Sequence, residues 1–212
     1  MQRRSVSKAR GTGVKSFGFL GVLALAGCVA ATGGGIRSVA LLDGAVTAAA
    51  PAGYCIAPGA GQRQADGAVV IMGRCSAAGT AVPALLTLTV GQAGSAGAMA
   101  GGGEALAAYF TSVPGRTALS RSGRAGDVEV LSASGADGAF LLRVRDRMAG
   151  EYWRGLAGVR GRLVSVTAAG PEGVALDPAQ GRALVEAALL ALRRANAGAA
   201  PAPTANQTAT GG

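Results

Sequence analysis

Three cysteines and a set of carboxylates are the residues of this 212-residue chain that could do chemistry. The cysteines are Cys28, Cys55 and Cys75, and their thiols can be acylated, can pair in a disulfide or can bind a metal ion. The sequence contains no histidine. This excludes the commonest general base, the imidazole of a catalytic triad and the commonest metal ligand. The available chemistry therefore depends on thiols and carboxylates.

Cys28 follows a segment whose composition is typical of an export signal. Residues 1–15 include five basic residues and no acidic one, and residues 17–26 are an apolar run diluted by Gly18 and Gly21. A run of about ten residues is too short for a membrane-spanning helix, which needs roughly 20. We therefore predict a signal peptide over residues 1–27, with small residues at its cleavage site. An ordinary secretory signal, with Cys28 as the first mature residue, is the alternative.

The four residues Leu25-Ala26-Gly27-Cys28 resemble the lipobox of bacterial lipoproteins. The resemblance implies that the Cys28 thiol receives a diacylglyceryl group, that the signal is cut before it, and that acyl chains such as palmitate anchor the new N-terminus in a membrane. Val29 follows where an aspartate would retain such a protein at the inner membrane, which favours the periplasmic side of the outer membrane. Arg3-Arg4 matches part of a twin-arginine signal, so the export route stays open.

Cys55 and Cys75 are predicted to form a disulfide, because an even pair of thiols in an oxidising compartment normally pairs. Two free thiols, or two ligands of a partial metal site, are the alternatives. The bridge would close a loop of about 20 residues and stabilise the fold by about 3 kcal/mol in the chain-entropy model.

Charge argues against a nucleic-acid partner. Of 20 basic and 11 acidic residues, five basic ones lie within residues 1–27, so the mature chain carries a net charge of +4. All of its basic residues are arginines, and they are scattered among few aromatic residues. We expect no nucleic-acid binding.

The carboxylates of a predicted hairpin could form an acid/base site. Residues 127–134 and 139–146 are expected to pair across a three-residue loop that sets Glu129 opposite Arg143 and Asp127 opposite Arg145. These would be exposed ion pairs, worth about 0–1 kcal/mol each. A carboxylate-only hydrolase using Asp127, Glu129 or Glu151 is the alternative. We predict no enzyme activity, no catalytic residue, no cofactor and no metal site.

The tetrapeptide Glu151-Tyr152-Trp153-Arg154 contains the only tryptophan. An aromatic residue beside arginine on a surface would suit a partner or a ligand, with Tyr152, Trp153 and Arg154 as the contact residues. For Trp153 itself, a core position covering the sheet is the interpretation that the low aromatic content favours over this surface role.

The remaining pattern predicts one α+β domain. Short antiparallel strands precede a helix over residues 104–110, which Pro114-Gly115 should end. A long C-terminal helix begins at Asp177-Pro178, an N-cap followed by proline at the first helical position. We expect an antiparallel β-sheet packed by the short helix and the long C-terminal helix. Residues 28–44 are predicted to be a lipidated N-terminus and flexible tether, although residues 38–42 could instead be a first strand. Residues 45–196 are the disulfide-tied domain, and residues 197–212 are a disordered tail rich in Ala, Pro and Thr.

The domain resembles the PsbP-like fold in Ala50-Pro51-Ala52-Gly53-Tyr54 and in residues 153–166 followed by the last helix. That resemblance implies a mostly non-enzymatic assembly or binding protein and gives no site residues. The sequence therefore predicts a membrane-anchored cell-envelope lipoprotein that serves as a non-catalytic binding or scaffolding module, with an envelope protein as its partner. A small-ligand carrier and the carboxylate-only hydrolase are the alternatives.

Overall fold

A computed structural model describes residues 35–59, 62–64, 66–172 and 174–198. The predicted signal peptide, Cys28 and the tail from residue 199 lie outside the described residues. The fold is α+β, with an antiparallel sheet and a long C-terminal helix, as predicted from the sequence.

The strands form one large antiparallel sheet and a separate two-stranded ribbon. In the described residues the large sheet has the order β3-β5-β6-β10-β9-β8-β7, with β4 also paired to β5, while β1 pairs with β2. The strands are β1 (Ser38–Leu41), β2 (Val46–Ala49), β3 (Tyr54–Ile56), β4 (Gln62–Gln64), β5 (Gly67–Arg74), β6 (Leu85–Val90), β7 (Val128–Ala136), β8 (Ala139–Asp146), β9 (Gly150–Val159) and β10 (Arg162–Ala169).

Three helices are described: α1 (Gly102–Thr111), α2 (Val113–Leu119) and α3 (Pro178–Asn196). Two short 3₁₀ turns, Ser95–Met99 and Ala125–Asp127, accompany them. Helix α3 and the β1–β2 ribbon pack on one face of the large sheet, whereas α1 and α2 pack on the other. We call these the α3 face and the α1 face.

The α3 face carries the larger core. Strand β6 contributes Leu86, Leu88 and Val90, which alternate with Thr87 and Thr89 on the opposite face, the pattern typical of a strand with one buried face. Helix α3 adds a buried stripe of apolar residues, namely Leu184, Val185, Ala188, Leu189 and Leu192. Its first turn is capped as predicted, because an Asp177 carboxylate oxygen accepts hydrogen bonds from the N–H groups of Ala179 and Gln180.

Strand β9 was not predicted from the sequence. It is a central strand buried on both faces, so polar and apolar residues do not alternate along it, and it contains Gly155. A Cβ atom at Gly155 would lie 2.5 Å from Cγ1 of Val185. Glycine at this position lets α3 lie directly on the strand.

The helix predicted over residues 104–110 ends before Pro114, at Thr111, but a second helix that was not predicted follows it directly. The Ser112 hydroxyl accepts a hydrogen bond from the Gly115 N–H, and Pro114 occupies the first turn of α2, where a missing N–H costs nothing. The proline therefore begins a second helix.

The hairpin register also differs from the prediction. Asp137-Gly138 forms a two-residue turn with both φ angles positive, and Glu129 lies opposite Arg145 instead of Arg143. A register shift between Val130 and Ser132 accommodates the extra residue. Turn chemistry, and not charge pairing, sets this register.

The predicted disulfide is confirmed: Cys55 on β3 and Cys75, just after β5, are bonded. The predicted tether is too long, because Ser38–Leu41 is strand β1 and pairs with β2. The backbone carbonyl of Ile36 already accepts a hydrogen bond from the Ile56 N–H, at 2.8 Å. The folded part of the chain therefore begins before residue 45.

Candidate ligand-binding cleft

An apolar cleft lies between α1 and the sheet, on the α1 face. It has a volume of about 480 Å³ and is enclosed by the 3₁₀ turn Ser95–Met99, helices α1 and α2, and strands β9 and β10. Its lining residues are Ala98, Met99, Ala105, Leu106, Tyr109, Phe110, Ala118, Arg154, Leu156 and Leu163. This size is typical of sites for small organic molecules, which span about 300–1,000 Å³.

Helix α1 is held above the sheet by aromatic packing. The rings of Phe110 and Phe140 are stacked with their centres 5.9 Å apart, and Tyr109 meets Phe110 edge-on at 5.1 Å. Phe140 is fully buried on β8, whereas Tyr109 is 47% exposed at the cleft. One side of the helix therefore belongs to the core, while Leu106 and Tyr109 line the open space next to it.

Among the described residues that line the cleft, Arg154 has the only charged side chain. Its Nε donates a hydrogen bond to the Thr167 hydroxyl at 3.1 Å, and its guanidinium carbon lies 5.4 Å from the centre of the Tyr152 ring. Within the described part of the chain, no carboxylate forms a salt bridge with it. The cleft therefore combines an apolar wall with one cation.

Tyr152 forms the platform beneath that cation. Its hydroxyl donates a hydrogen bond to the Leu119 carbonyl oxygen at 3.0 Å, which ties β9 to the end of α2. Burial raises the pKa of Tyr152 above its ordinary value, although the charge of Arg154 opposes that shift. The ring stays a neutral phenol at physiological pH and holds the guanidinium by a cation–π contact.

Beyond the cleft, several described side chains on the α1 face are exposed or half-buried. Strand register aligns Arg154, Thr167, Thr87 and Ile71 in one row across β9, β10, β6 and β5. Adjacent strands are about 4.8 Å apart, so the row is about 14 Å long. Ile71 is 45% exposed. The cleft is therefore continuous with a surface of hydroxyl and aliphatic side chains.

Of the three residues considered as a partner surface, only Arg154 reaches a surface. Tyr152 and Trp153 are 5% and 7% exposed and belong to the cores on opposite faces of the sheet. Trp153 packs against Gly181 of α3, where a Cβ atom would lie 2.3 Å from its ring, and its indole N–H has no hydrogen-bond partner. For Trp153, the structure places the side chain in the core, as the sequence favoured, and Tyr152 also lies in a core instead of on the predicted contact surface.

The hairpin carboxylates are bound to arginines. Glu129 pairs with Arg145 at 2.8 Å, and Glu151 accepts a hydrogen bond from Nε of Arg143 at 2.6 Å. Asp127 accepts a hydrogen bond from the Ser122 hydroxyl, and this bond, together with Arg124 and Arg147, lowers its pKa. None of the three lines the cleft described above.

Sequence reasoning missed the cleft as a site, although it predicted the helix over residues 104–110 that lines it. The signal that could have found it is Arg154 at a position where the strand's neighbours on the same face, Tyr152 and Leu156, are apolar or aromatic. The sequence does not show where α1 lies relative to β10, and the gap between them forms the cleft.

The chain matches no protein-family model, no curated protein and no solved structure. The similarities to bacterial lipoproteins and to the PsbP-like fold therefore stay predictions. Over the described residues, no helix is long and apolar enough to cross a membrane. The same residues contain no group of three or more Cys, Asp or Glu side chains placed to hold a metal ion.

Proposed function

We propose that this chain is a lipid-anchored cell-envelope protein whose domain binds a ligand or partner without transforming it. The observation that carries the binding role is the 480 Å³ cleft, whose lining is apolar except for Arg154. Such a lining can bury the apolar part of a ligand and bind a negative charge. It provides no group for acid/base chemistry.

The anchoring role rests on the sequence around Cys28. A basic segment, a short apolar run and Leu25-Ala26-Gly27-Cys28 stand in the order of a lipoprotein signal. The Cys55–Cys75 bond supports export, because disulfides persist mainly in oxidising compartments. Two or more acyl chains on Cys28 would hold the protein stably at a membrane, since each buried methylene contributes about 0.8 kcal/mol.

Intact mass of the protein from a membrane fraction tests the anchor. We expect the loss of residues 1–27, added acyl mass, and a gain of two protons on reduction. The matched control is Cys28→Ser, which should carry no acyl group and should leave the membrane fraction under a high-salt wash. A wild-type mass without acyl groups would contradict the anchoring role and leave the binding role open.

Photo-cross-linking in intact cells tests the binding role. A photoreactive amino acid replaces Tyr109, which lines the cleft. In the control it replaces Met148, which is 65% exposed in the β8–β9 turn. An adduct specific to position 109 would support the cleft as the binding site. A protein-sized adduct would identify the predicted envelope protein partner, and a small adduct would favour the carrier. Identical patterns at both positions would contradict the assignment.

A further inference from the structure

The positive charge of Arg154 is held in place within an apolar lining. Its Nε donates a hydrogen bond to the Thr167 hydroxyl, while its terminal nitrogens donate no hydrogen bond to the described residues. Other shielded arginines use their terminal nitrogens: those of Arg143 and Arg162 bind the carboxylates of Glu151 and Asp66. Those of Arg74, Arg116 and Arg193 donate hydrogen bonds to backbone carbonyl oxygens. A fixed guanidinium without a carboxylate partner is a suitable site for a ligand's negative charge.

The space next to this charge suits a flexible aliphatic chain. The lining side chains of Met99, Leu106, Leu156 and Leu163 are thioether or aliphatic groups, which offer no directional polar contact. The volume of about 480 Å³ is at the small end for a drug-sized molecule, and so it suits one acyl chain better than two.

We infer that the cleft binds a fatty acid, with its carboxylate on Arg154 and its acyl chain along α1. A carboxylate carries one negative charge, which one guanidinium neutralises, and its two oxygens match the planar fork of donors. The Thr167 hydroxyl, in hydrogen-bond contact with Nε, keeps the guanidinium plane in position. This inference deepens the proposed binding role and rests on the cleft being the site, but it does not depend on the lipid anchor.

The test is calorimetric titration of the full-length chain carrying Cys28→Ser, so that no acyl group of its own and no detergent competes. The probes are decanoate and dodecanoate below their micelle concentrations, with dodecanol and dodecyl phosphate as head-group controls. We expect one dodecanoate per chain. The affinity should fall about fourfold for each methylene removed, the factor that corresponds to burying one methylene group.

Arg154→Met provides the decisive variant, because methionine keeps the apolar stem and removes the charge. It should weaken dodecanoate at least tenfold while leaving dodecanol unchanged, and a merely structural role for Arg154 would weaken both. Arg194→Met, on the exposed last turn of α3, is the matched control and should bind dodecanoate like the parent.

Three results would overturn the inference. They are no binding of dodecanoate, equal binding of dodecanoate by Arg154→Met, and tighter binding of dodecyl phosphate than of dodecanoate. A failed titration combined with a protein adduct at position 109 would retain the proposed binding role and reject the fatty acid. A failed titration without any specific adduct would reject both.

Discussion

Asp146 closes the turn between β8 and β9 and is only 2% exposed. One carboxylate oxygen accepts hydrogen bonds from the N–H groups of Met148 and Ala149, at 2.7 and 2.8 Å. The other oxygen accepts a hydrogen bond from the Arg121 N–H at 2.9 Å. Burial by itself raises the pKa of Asp146, but the three backbone donors outweigh it and hold the pKa below its ordinary value. The ionised form is therefore part of the fold.

That pKa shift predicts an acid-sensitive contribution to stability. Because the folded-state pKa lies below the ordinary 3.8, the stabilisation is complete above that value and is lost as the pH falls through the folded-state pKa. Asp146→Asn should cost about 1–3 kcal/mol at pH 7, since its amide cannot accept the Arg121 N–H. Urea unfolding from pH 7 to pH 2.5 should show the difference between parent and variant shrinking towards the acid end.

Asp137→Asn is the matched control for that series. Asp137 lies exposed in the β7–β8 turn with φ of 46°, a conformation that asparagine adopts readily. Its free energy of unfolding should stay within about 0.5 kcal/mol of the parent. A pH-independent difference for Asp146→Asn would contradict the assignment of the stabilisation to the charged carboxylate.

At the scale of elements, Gly115 sets how α2 follows α1. A Cβ atom at this position would lie 2.0 Å from the Tyr109 carbonyl oxygen, so the two helices meet backbone to backbone. Gly115→Ala should displace α2 and cost about 2 kcal/mol or more. Thermal unfolding would measure this, with Gly126→Ala as control because a Cβ atom there meets nothing within 4 Å. Equal melting temperatures for the two variants would contradict the close approach.

Asn196 joins the last turn of α3 to the edge of the β1–β2 ribbon. Its Oδ1 accepts a hydrogen bond from the Thr47 N–H at 2.9 Å, and its Nδ2 donates a hydrogen bond to the Thr47 carbonyl oxygen at 2.8 Å. Asn196→Ala should cost about 1–3 kcal/mol, because both backbone groups lose their partner. The accompanying result should be faster amide exchange at Thr47, with α3 otherwise protected. Arg194→Ala, at an exposed position two residues before Asn196, should change neither quantity.

The elements were predictable where one interaction dominates, as in β6 with its alternating pattern and α3 with its Asp177 cap. Strand β9 was not predictable, because it is buried on both faces and shows no alternation of polar and apolar residues. Its glycines are also atypical of a strand, and the reason for Gly155 is clear only from its contact with α3. The hairpin register was wrong because local turn geometry at Asp137-Gly138 outweighs weak exposed ion pairs. The cleft depends on where helices lie over the sheet, which periodicity alone does not give.

At the scale of the whole molecule, the sheet is covered unequally. Among the described residues, helix α3 and the ribbon pack on one face, while α1 and α2 pack on the other over residues of β7 to β10. Ile71 on β5 and Leu85 on β6, beyond those strands, are 45% and 50% exposed. The cleft and the disulfide thus lie on different parts of one sheet: the cleft is at β9 and β10, and the bridge is at β3 and the end of β5.

This separation predicts that the Cys55–Cys75 bond contributes to stability without shaping the cleft. The bond joins residues 20 positions apart and holds β3, which has three residues. The double variant Cys55→Ser/Cys75→Ser should lose about 3 kcal/mol of unfolding free energy in urea, with a larger m-value because its unfolded chain is less constrained. The parent in reductant should unfold like the variant. Cross-linking at position 109 should persist in the variant below its unfolding transition, and its loss there would contradict the independence of the two parts.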